Sequence, residues 1–196
     1  MTSRDIAAVL ITGCIAGCVS FRSGRLTPTE RWPPRKLDQQ PSVTLVISGR
    51  ATSNGNPGEV GKVFNLWRQQ TERAYRESGL FSSVAVGLAD SDLRAEVTVA
   101  ERDELNELAT AFTFLTVGVF PGVVTNTFTL HTEIKDRNGR TLKVVDETET
   151  SHMWIALVLL PAAALKSHQS TVADIIYDLN RTTLTELQGT TALDGQ

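Results

Sequence analysis

Two stretches of the chain repeat apolar residues every three or four positions, a spacing that predicts amphipathic helices. The first follows Asn56-Pro57, where Asn56 can cap the free amides and Pro57 suits the first helical position. Glu59 completes a capping box, and Gly79 ends the pattern. The second is predicted from Ser170 to Gly189. The buried stripes are Val60, Val63, Phe64, Trp67, Thr71, Ala74 and Tyr75 in the first helix, and Val172, Ile175, Ile176, Leu179, Thr183 and Leu187 in the second.

Before the first helix and between the two helices, short β-branched runs and apolar–polar alternation predict strands. These segments are 42–48, 80–86, 93–99, 128–134 and 142–150. Asp136-Arg-Asn-Gly139 is typical of a hairpin turn, because Asn and Gly tolerate positive backbone angles. The order strand, helix, several strands, helix predicts an α+β domain, in which a single antiparallel sheet carries the two long helices on one face. We expect Trp67 to be buried against this sheet.

Two uncharged apolar stretches, residues 112–124 and 153–165, are each thirteen residues long and are interrupted by proline. Central strands buried on both sides have this composition, and a domain of this size needs such a core. The stretches could instead line a groove for a lipid or a partner, or contact a membrane. Burial distinguishes these interpretations, since close packing of Phe112, Phe114, Trp154 and Leu157 would leave no room for a ligand.

The start of the chain has the organisation of a secretory signal peptide. A short polar segment containing Arg4 precedes an apolar run from Ile6 to Val19 that ends in small residues. That run has fourteen residues, whereas a membrane-spanning helix needs about 20. The pattern therefore predicts an export signal rather than a transmembrane helix.

The apolar run ends in Ile15-Ala16-Gly17-Cys18, which resembles the lipobox of bacterial lipoproteins. The resemblance implies cleavage between Gly17 and Cys18 by signal peptidase II, and a diacylglyceryl group on the Cys18 sulfur. The segment Ile11-Thr12-Gly13-Cys14 also fits loosely, but the apolar core before it is shorter than the roughly 7–15 residues of an export signal. Alternatively, both cysteines are small apolar residues of a buried first helix. Two cysteines four apart, each after a glycine, fit that interpretation poorly.

Proline content divides the rest of the chain, since four of its seven prolines lie within residues 18–42. Proline removes backbone donors and prevents regular elements. We predict a signal peptide over residues 1–17, a lipidated Cys18 and flexible basic tether over 18–42, the α+β domain over 43–188, and a loose tail over 189–196. Residues 19–42 carry a net charge of +3 and residues 43–196 one of −6. This tether suits an anionic membrane surface, although a solvated linker also collects charge.

Composition excludes several classes of function. The net charge of −3 argues against a general nucleic-acid binder. No cysteine follows Cys18, so the domain has no disulfide, thiol nucleophile or cysteine metal site. The sequence also lacks a nucleophile elbow, a phosphate-binding loop and a zinc-protease motif.

Three groups of titratable residues are weak candidates for metal binding. They are His131 with Glu133 on the polar face of one strand, Asp90 with Asp92 in a turn, and the acidic segment Glu101, Asp103, Glu104 and Glu107. The first lacks a visible third ligand, and the acidic groups lack the glycine and bidentate Glu of a calcium loop. A solvated strand face, turn chemistry and an acidic loop or helical turn explain them more simply. We therefore predict no catalytic, cofactor-binding or metal-binding residue and no enzyme.

Residues 43–188 are loosely similar to compact envelope-lipoprotein domains, namely the N-terminal domain of the TolB translocation protein and the core of CsgG-type secretion lipoproteins. The similarity rests on SGLFSSV, DRNGR and the proline-broken apolar stretches, and it transfers no site residue. With the anchor, it favours a non-catalytic accessory or binding module that contacts another envelope protein. The alternative is a carrier of a lipid or other apolar ligand, in a cavity lined by residues 112–124 and 153–165. Val19 follows Cys18 where many inner-membrane lipoproteins have Asp, which implies the periplasmic side of the outer membrane.

Overall fold

In a computed structural model, a seven-stranded sheet carries helices on one face. The structure describes residues 18–24, 26, 31–35, 37, 39–116, 119–156 and 167–188. The strands are β1 (Cys18–Arg22), β2 (Ser42–Ser53), β3 (Asn56–Gly58), β4 (Ser83–Val86), β5 (Leu93–Leu105), β6 (Gly122–Asp136) and β7 (Thr141–Ile155). The helices are α1 (Gly61–Ser78), α2 (Glu107–Leu115) and α3 (His168–Gln188). The predicted signal peptide, Cys14 and the tail after residue 188 lie outside these ranges.

The sheet is mixed, whereas the sequence pattern predicted a purely antiparallel one. Its strand order is β1-β7-β6-β5-β2-β3, with β4 also paired to β2. β2 runs parallel to both β4 and β5, and the other neighbouring strands are antiparallel. The reason is the position of α1, since a helix between two strands returns the chain to the end where the first strand began. The α+β class is confirmed.

The two long helices, α1 and α3, contact each other and cover the same face of the sheet, as predicted. Trp67 on α1 and Ile176 on α3 are fully buried, together with Val97 and Leu130 of the central strands. Gly49 of β2 leaves space for the indole, because a methyl group there would lie 2.8 Å from the Trp67 ring. The predicted burial of Trp67 is therefore confirmed.

The opposite face of the sheet is lined by polar side chains that pair across strands. Hydroxyl groups of Ser48 and Thr98 lie 2.9 Å apart, and those of Thr129 and Thr148 lie 3.3 Å apart. Each pair joins register neighbours on adjacent strands. Cross-strand hydroxyl pairs of this kind stabilise a sheet without an apolar layer over it.

Helix α1 begins later than predicted. The Asn54-Gly55 turn has positive φ angles of 46° and 81°, and it sends Asn56–Gly58 back along β2 as strand β3. The helix then starts at Gly61, with Val60 as an N-cap residue that makes no side-chain hydrogen bond. Its end is as predicted, since Gly79 adopts the left-handed conformation with φ of 64°.

The segment predicted as a flexible tether is held against the domain where the structure describes it. Its first five residues form β1, which pairs with the end of β7. Further along, the Trp32 indole donates a 3.0 Å hydrogen bond to the Tyr177 hydroxyl on α3. The Gln188 amide donates to the Arg35 carbonyl at 2.6 Å. Proline prevents regular structure here, but it does not prevent side-chain contacts with α3.

Candidate functional site

The predicted lipid-bearing residue lies at the outer edge of the sheet. Cys18 begins β1, and its register partner is Ile155 of β7, which in turn pairs with Gly122 of β6. We call the part of the sheet marked by these three residues the Cys18 end. Neighbouring strands lie about 4.8 Å apart, which places Cys18 roughly 10 Å from Gly122. Gly17 and the predicted cleavage site precede the described residues.

Side-chain contacts join β1 to α3. The Ser20 hydroxyl lies 2.9 Å from Nδ1 of His168, the first residue of α3. The Arg22 guanidinium donates to the Asp178 carboxylate at 2.6 Å. Ion pairs with partial burial and a short hydrogen bond are stronger than exposed ones. The strand that begins at Cys18 is therefore fixed to the body of the domain.

A buried carboxylate strengthens this attachment. Glu149 of β7 is fully buried and lies 3.8 Å from the Arg22 guanidinium. It also accepts hydrogen bonds from the Ser23 hydroxyl at 3.1 Å and from the Leu26 backbone amide at 3.3 Å. Burying a charge is costly unless donors surround it. Because these donors come from residues 22–26, Glu149 holds the start of the predicted tether segment against the sheet.

A row of polar residues crosses the helix-covered face near the Cys18 end. Asp103 of β5, Asn126 of β6 and Ser151 of β7 are register neighbours. The Asn126 amide donates to the Asp103 carboxylate at 2.6 Å. Asn126 Oδ1 and Ser151 Oγ are buried and have no hydrogen-bond partner among the described residues. Such atoms are uncommon in folded proteins, so the row is a polar interruption of the core at this end of the sheet.

Three titratable groups near this row have shifted pKa values. Burial, reinforced by the nearby Asp103 carboxylate, raises the pKa of Glu101 to about 7. Burial also raises the pKa of Asp103, against the opposing effect of the Asn126 hydrogen bond. Burial lowers the pKa of His168, against the attraction of Asp103. Burial therefore shifts the pKa of each group toward its neutral form, and Glu101, with a pKa of about 7, can exchange a proton near neutral pH.

A hydrolytic triad uses the same residue types as Ser20, His168 and Asp103. The arrangement of these three side chains differs from that of a catalytic triad. Ser20 contacts Nδ1 rather than Nε2 of His168, and its side chain is 0% exposed. A substrate cannot reach this hydroxyl in the observed conformation. Within the described ranges, no group of three His, Cys, Asp or Glu side chains could hold a metal ion. The contact between Ser20 and His168 instead fastens β1 to α3.

Two of the candidate groups from the sequence have local partners instead of a shared ligand. His131 is half exposed, and its Nδ1 lies 2.7 Å from the Asp146 carboxylate, with Glu133 on the same strand face. Asp92 accepts hydrogen bonds from the Ser42 amide and hydroxyl at 2.8 and 2.6 Å. The first group therefore lies on a solvated strand face, and the second fastens a turn to β2.

The acidic segment is divided by the fold. It was expected to be a loop or one helical turn, but β5 continues through it to Leu105. Glu101 and Asp103 consequently lie on the helix-covered face, whereas Glu104 pairs with Arg102 in solvent at 2.6 Å. Strand alternation explains the division, because successive side chains point to opposite faces.

The first apolar stretch is not a buried central strand over its first half. Residues 112–115 end α2, and β6 begins only at Gly122. Phe112 is 60% exposed, Leu115 79% and Phe120 61%. In the second stretch Trp154 is 40% exposed, and residues 157–165 lie outside the described ranges. The exposure of these side chains favours the alternative interpretation of the first stretch, as an interaction surface, over that of a buried core strand.

Exposed apolar side chains are concentrated in the segments that meet at the Cys18 end. Twelve large apolar side chains among the described residues are exposed, and all but Val86, Leu88 and Val144 belong to these segments. The nine are Phe21, Leu105, Leu108, Phe112, Leu115, Val119, Phe120, Trp154 and Ile155. Exposed apolar groups collected in one region mark an interaction surface. None of the described helices is long and apolar enough to cross a membrane.

A cavity of about 320 Å³ opens at the opposite end of the sheet. It is lined by Thr44, Gly87, Leu88, Ala89, Asp90 and Arg94. No described residue of either apolar stretch lines it, so it does not match the ligand chamber that the carrier interpretation expects.

Comparisons with known proteins show weak similarity only. No protein-family model matches the chain, and no curated protein matches its sequence significantly. Among solved structures, the chain is similar to a minor lipoprotein from Acinetobacter baumannii, with 12% identity and a TM-score of 0.41 over 74% of this chain and 92% of that one. It is also similar to a dodecameric PelC variant from Paraburkholderia phytofirmans, with 13% identity and a TM-score of 0.33 over 87% and 97% of the two chains. Similarity at this level does not define the family of the chain.

Proposed function

We propose that the protein is an envelope lipoprotein, anchored through Cys18, that serves as a non-catalytic accessory or binding module. The observation that carries the proposal is the position of Cys18. It ends a lipobox-like segment in the sequence, and it also begins the edge strand β1 in the fold. A lipid on this residue would hold the folded domain close to a bilayer.

The attachment of β1 supports this role. Arg22 and Ser20 tie the strand to α3 within four residues of the anchor. A domain held this closely has a defined orientation, with the Cys18 end toward the lipid. The polar sheet face that carries Ser48, Thr98 and His131 then stands upright from the membrane, where a partner in the envelope can reach it.

The outer membrane, on its periplasmic side, is the location that this proposal favours. Val19 follows Cys18, and Asp at that position is the signal that retains many Gram-negative lipoproteins at the inner membrane. The expected partner is another envelope protein, and no nucleic acid or resident cofactor is expected.

Fatty-acid labelling of the full chain tests the anchor. Labelled palmitate should enter the wild type and the Cys14→Ala variant, but not Cys18→Ala, because only Cys18 follows a full-length apolar core. The Cys18→Ala chain should accumulate as an uncleaved precursor. Label that persists in Cys18→Ala would refute the assignment.

Density-gradient fractionation of the envelope tests the location. The wild-type chain should sediment with outer-membrane markers, and a Val19→Asp variant should move toward the inner membrane. Co-sedimentation of the wild type with inner-membrane markers would contradict the proposed location while leaving the lipid anchor intact.

A further inference from the structure

We propose that α2, with Val119 and Phe120 beyond it, inserts into the headgroup region of the lipid bilayer, so that the protein contacts the membrane through its fold as well as through a lipid. This inference rests on the proposed anchor at Cys18. The exposed apolar side chains of α2, together with those of Val119 and Phe120, form the contact surface.

The geometry of α2 directs an apolar stripe away from the domain. Leu108, Phe112 and Leu115 are spaced four and three residues apart, so they share one side of the helix. They are 75%, 60% and 79% exposed. On another side α2 packs on the start of β6, where a methyl group at Gly122 would lie 2.9 Å from Thr113 Oγ1. The stripe therefore has no partner among the described residues.

The surroundings of the stripe match a membrane interface. Val119 and Phe120 beyond the helix are exposed, and Trp154 at the end of β7 is half exposed on the other face of the sheet, beside its register partner Val123. Trp side chains favour the level of the lipid headgroups. Glu107 at the start of α2 is charged, but no charged residue and no histidine occurs from Leu108 to Leu130. A surface helix in water normally carries charges on its exposed side, so this composition favours an apolar partner.

The position of Cys18 indicates that the apolar partner of the stripe is the lipid bilayer. α2 packs on Gly122, which shares a register row with Cys18 and lies roughly 10 Å from it, two strand spacings away. Interfacial helices enter a membrane to a depth of about 5–10 Å. Arg22 and Ser20 fix β1 to α3, so no flexible linker separates the lipid-bearing residue from the sheet. Acyl chains on Cys18 would thus draw the stripe against the same leaflet, and a second copy of the chain would have to displace lipid to cover it.

A depth measurement tests the contact in the full chain. An environment-sensitive thiol dye is placed at Leu115→Cys in a Cys14→Ala background, where an acylated Cys18 does not react. The matched control carries the dye at Leu88→Cys, because Leu88 is 93% exposed and lies at the opposite end of the sheet. Both proteins are placed in vesicles of phosphatidylethanolamine and phosphatidylglycerol, with and without nitroxide-labelled lipid.

The dye at position 115 should shift to the blue and lose most of its fluorescence to the nitroxide lipid, whereas the dye at position 88 should lose little. Adding Phe112→Asp should restore much of the fluorescence at position 115, because the new charge resists insertion. Equal quenching at the two positions would overturn the proposal. A blue shift at position 115 without nitroxide quenching would also overturn it, since a protein would then cover the stripe.

The anchor is checked separately in the same material. Dye that reacts with Cys18 in the Cys14→Ala chain without an added cysteine would show that Cys18 is not acylated. That result would refute the proposed function. An unquenched dye at position 115 in a protein whose Cys18 is acylated would refute only the insertion of α2 into the membrane.

Discussion

Replacing Trp67 with alanine should empty the centre of the contact between α1 and the sheet. The indole is 0% exposed, and its six-membered ring lies over Gly49 of β2. Loss of a buried Trp side chain costs roughly 3–5 kcal/mol, a large part of the roughly 5–15 kcal/mol that stabilises a typical domain. For a chain of this length, the melting temperature should fall by roughly 10 °C.

Gly49 provides an independent test of the same contact. A methyl group at this position would lie 2.8 and 2.9 Å from two carbons of the Trp67 ring, so Gly49→Ala alone should cost about 1–3 kcal/mol. In the double variant the indole is absent, and Phe64 at 3.1 Å is the remaining close neighbour of the methyl group, so the two losses should be less than additive. Gly61→Ala is the matched control, because a methyl group there meets no atom within 4 Å.

Circular dichroism during thermal and urea denaturation measures these effects. The chain for this purpose begins at residue 18 and carries Cys18→Ser, which keeps β1 and removes the acylation site. Additive losses in the double variant would show that Gly49 and Trp67 do not touch. A Trp67→Ala chain that melts like the parent would refute the assignment of the buried face of α1.

Two further substitutions test the electrostatic description. Burial raises the pKa of Glu101 to about 7 from an ordinary 4.5, so the folded state keeps a proton that the unfolded state has released, and stability should fall as pH rises between these values. Glu101→Gln should remove that fall, which amounts to about 2.5 kcal/mol between about pH 5 and about pH 8 and is measured by urea denaturation at these two values. An unchanged pH dependence would contradict the burial of this carboxyl. His131→Ala should change the free energy of unfolding by no more than about 0.5 kcal/mol, because the ring and its partner Asp146 are both largely in solvent. A clearly larger loss in the same urea experiment would show that the open sheet face is covered.

Local patterns in the sequence predicted the elements whose structure depends on neighbours in the chain. The apolar stripes of α1 and α3, the left-handed Gly79 and the Asp136–Gly139 turn all follow from a few adjacent residues. Each of these elements buries one face or needs one backbone conformation, and both requirements are visible in residue type.

Strand partners were harder to predict, because pairing is a long-range property. The sequence order of β2, α1 and β4 is that of a strand–helix–strand unit, which requires parallel pairing. The antiparallel expectation overlooked this connection. β3 was mistaken for a helix start because Asn56 and Pro57 suit both a capped helix and a turn at the edge of a sheet.

The candidate site could not be read from the sequence for a related reason. Apolar composition does not say whether a run such as residues 112–120 is buried, since only the fold shows which neighbours are left to cover it. The row of Asp103, Asn126 and Ser151 exists only through strand register, and its members lie far apart in the chain. The lipobox-like segment, by contrast, is a local signal, because a protease and an acyltransferase would recognise it before folding.

The attachment of β1 has a consequence for the order of events during biogenesis. Ser20 and its partner His168 are 148 residues apart, and β7 also comes late in the chain. If the protein is exported from its N-terminus, as the proposed anchor requires, the strand around Cys18 emerges long before β7 and α3 exist for it to pair with. Modifying enzymes would therefore meet an extended substrate, and α3 would close the fold only after the N-terminus had been modified. Premature folding would reverse this sequence and hide the cysteine, so the topology of one edge strand would couple lipid attachment to export in an unfolded form.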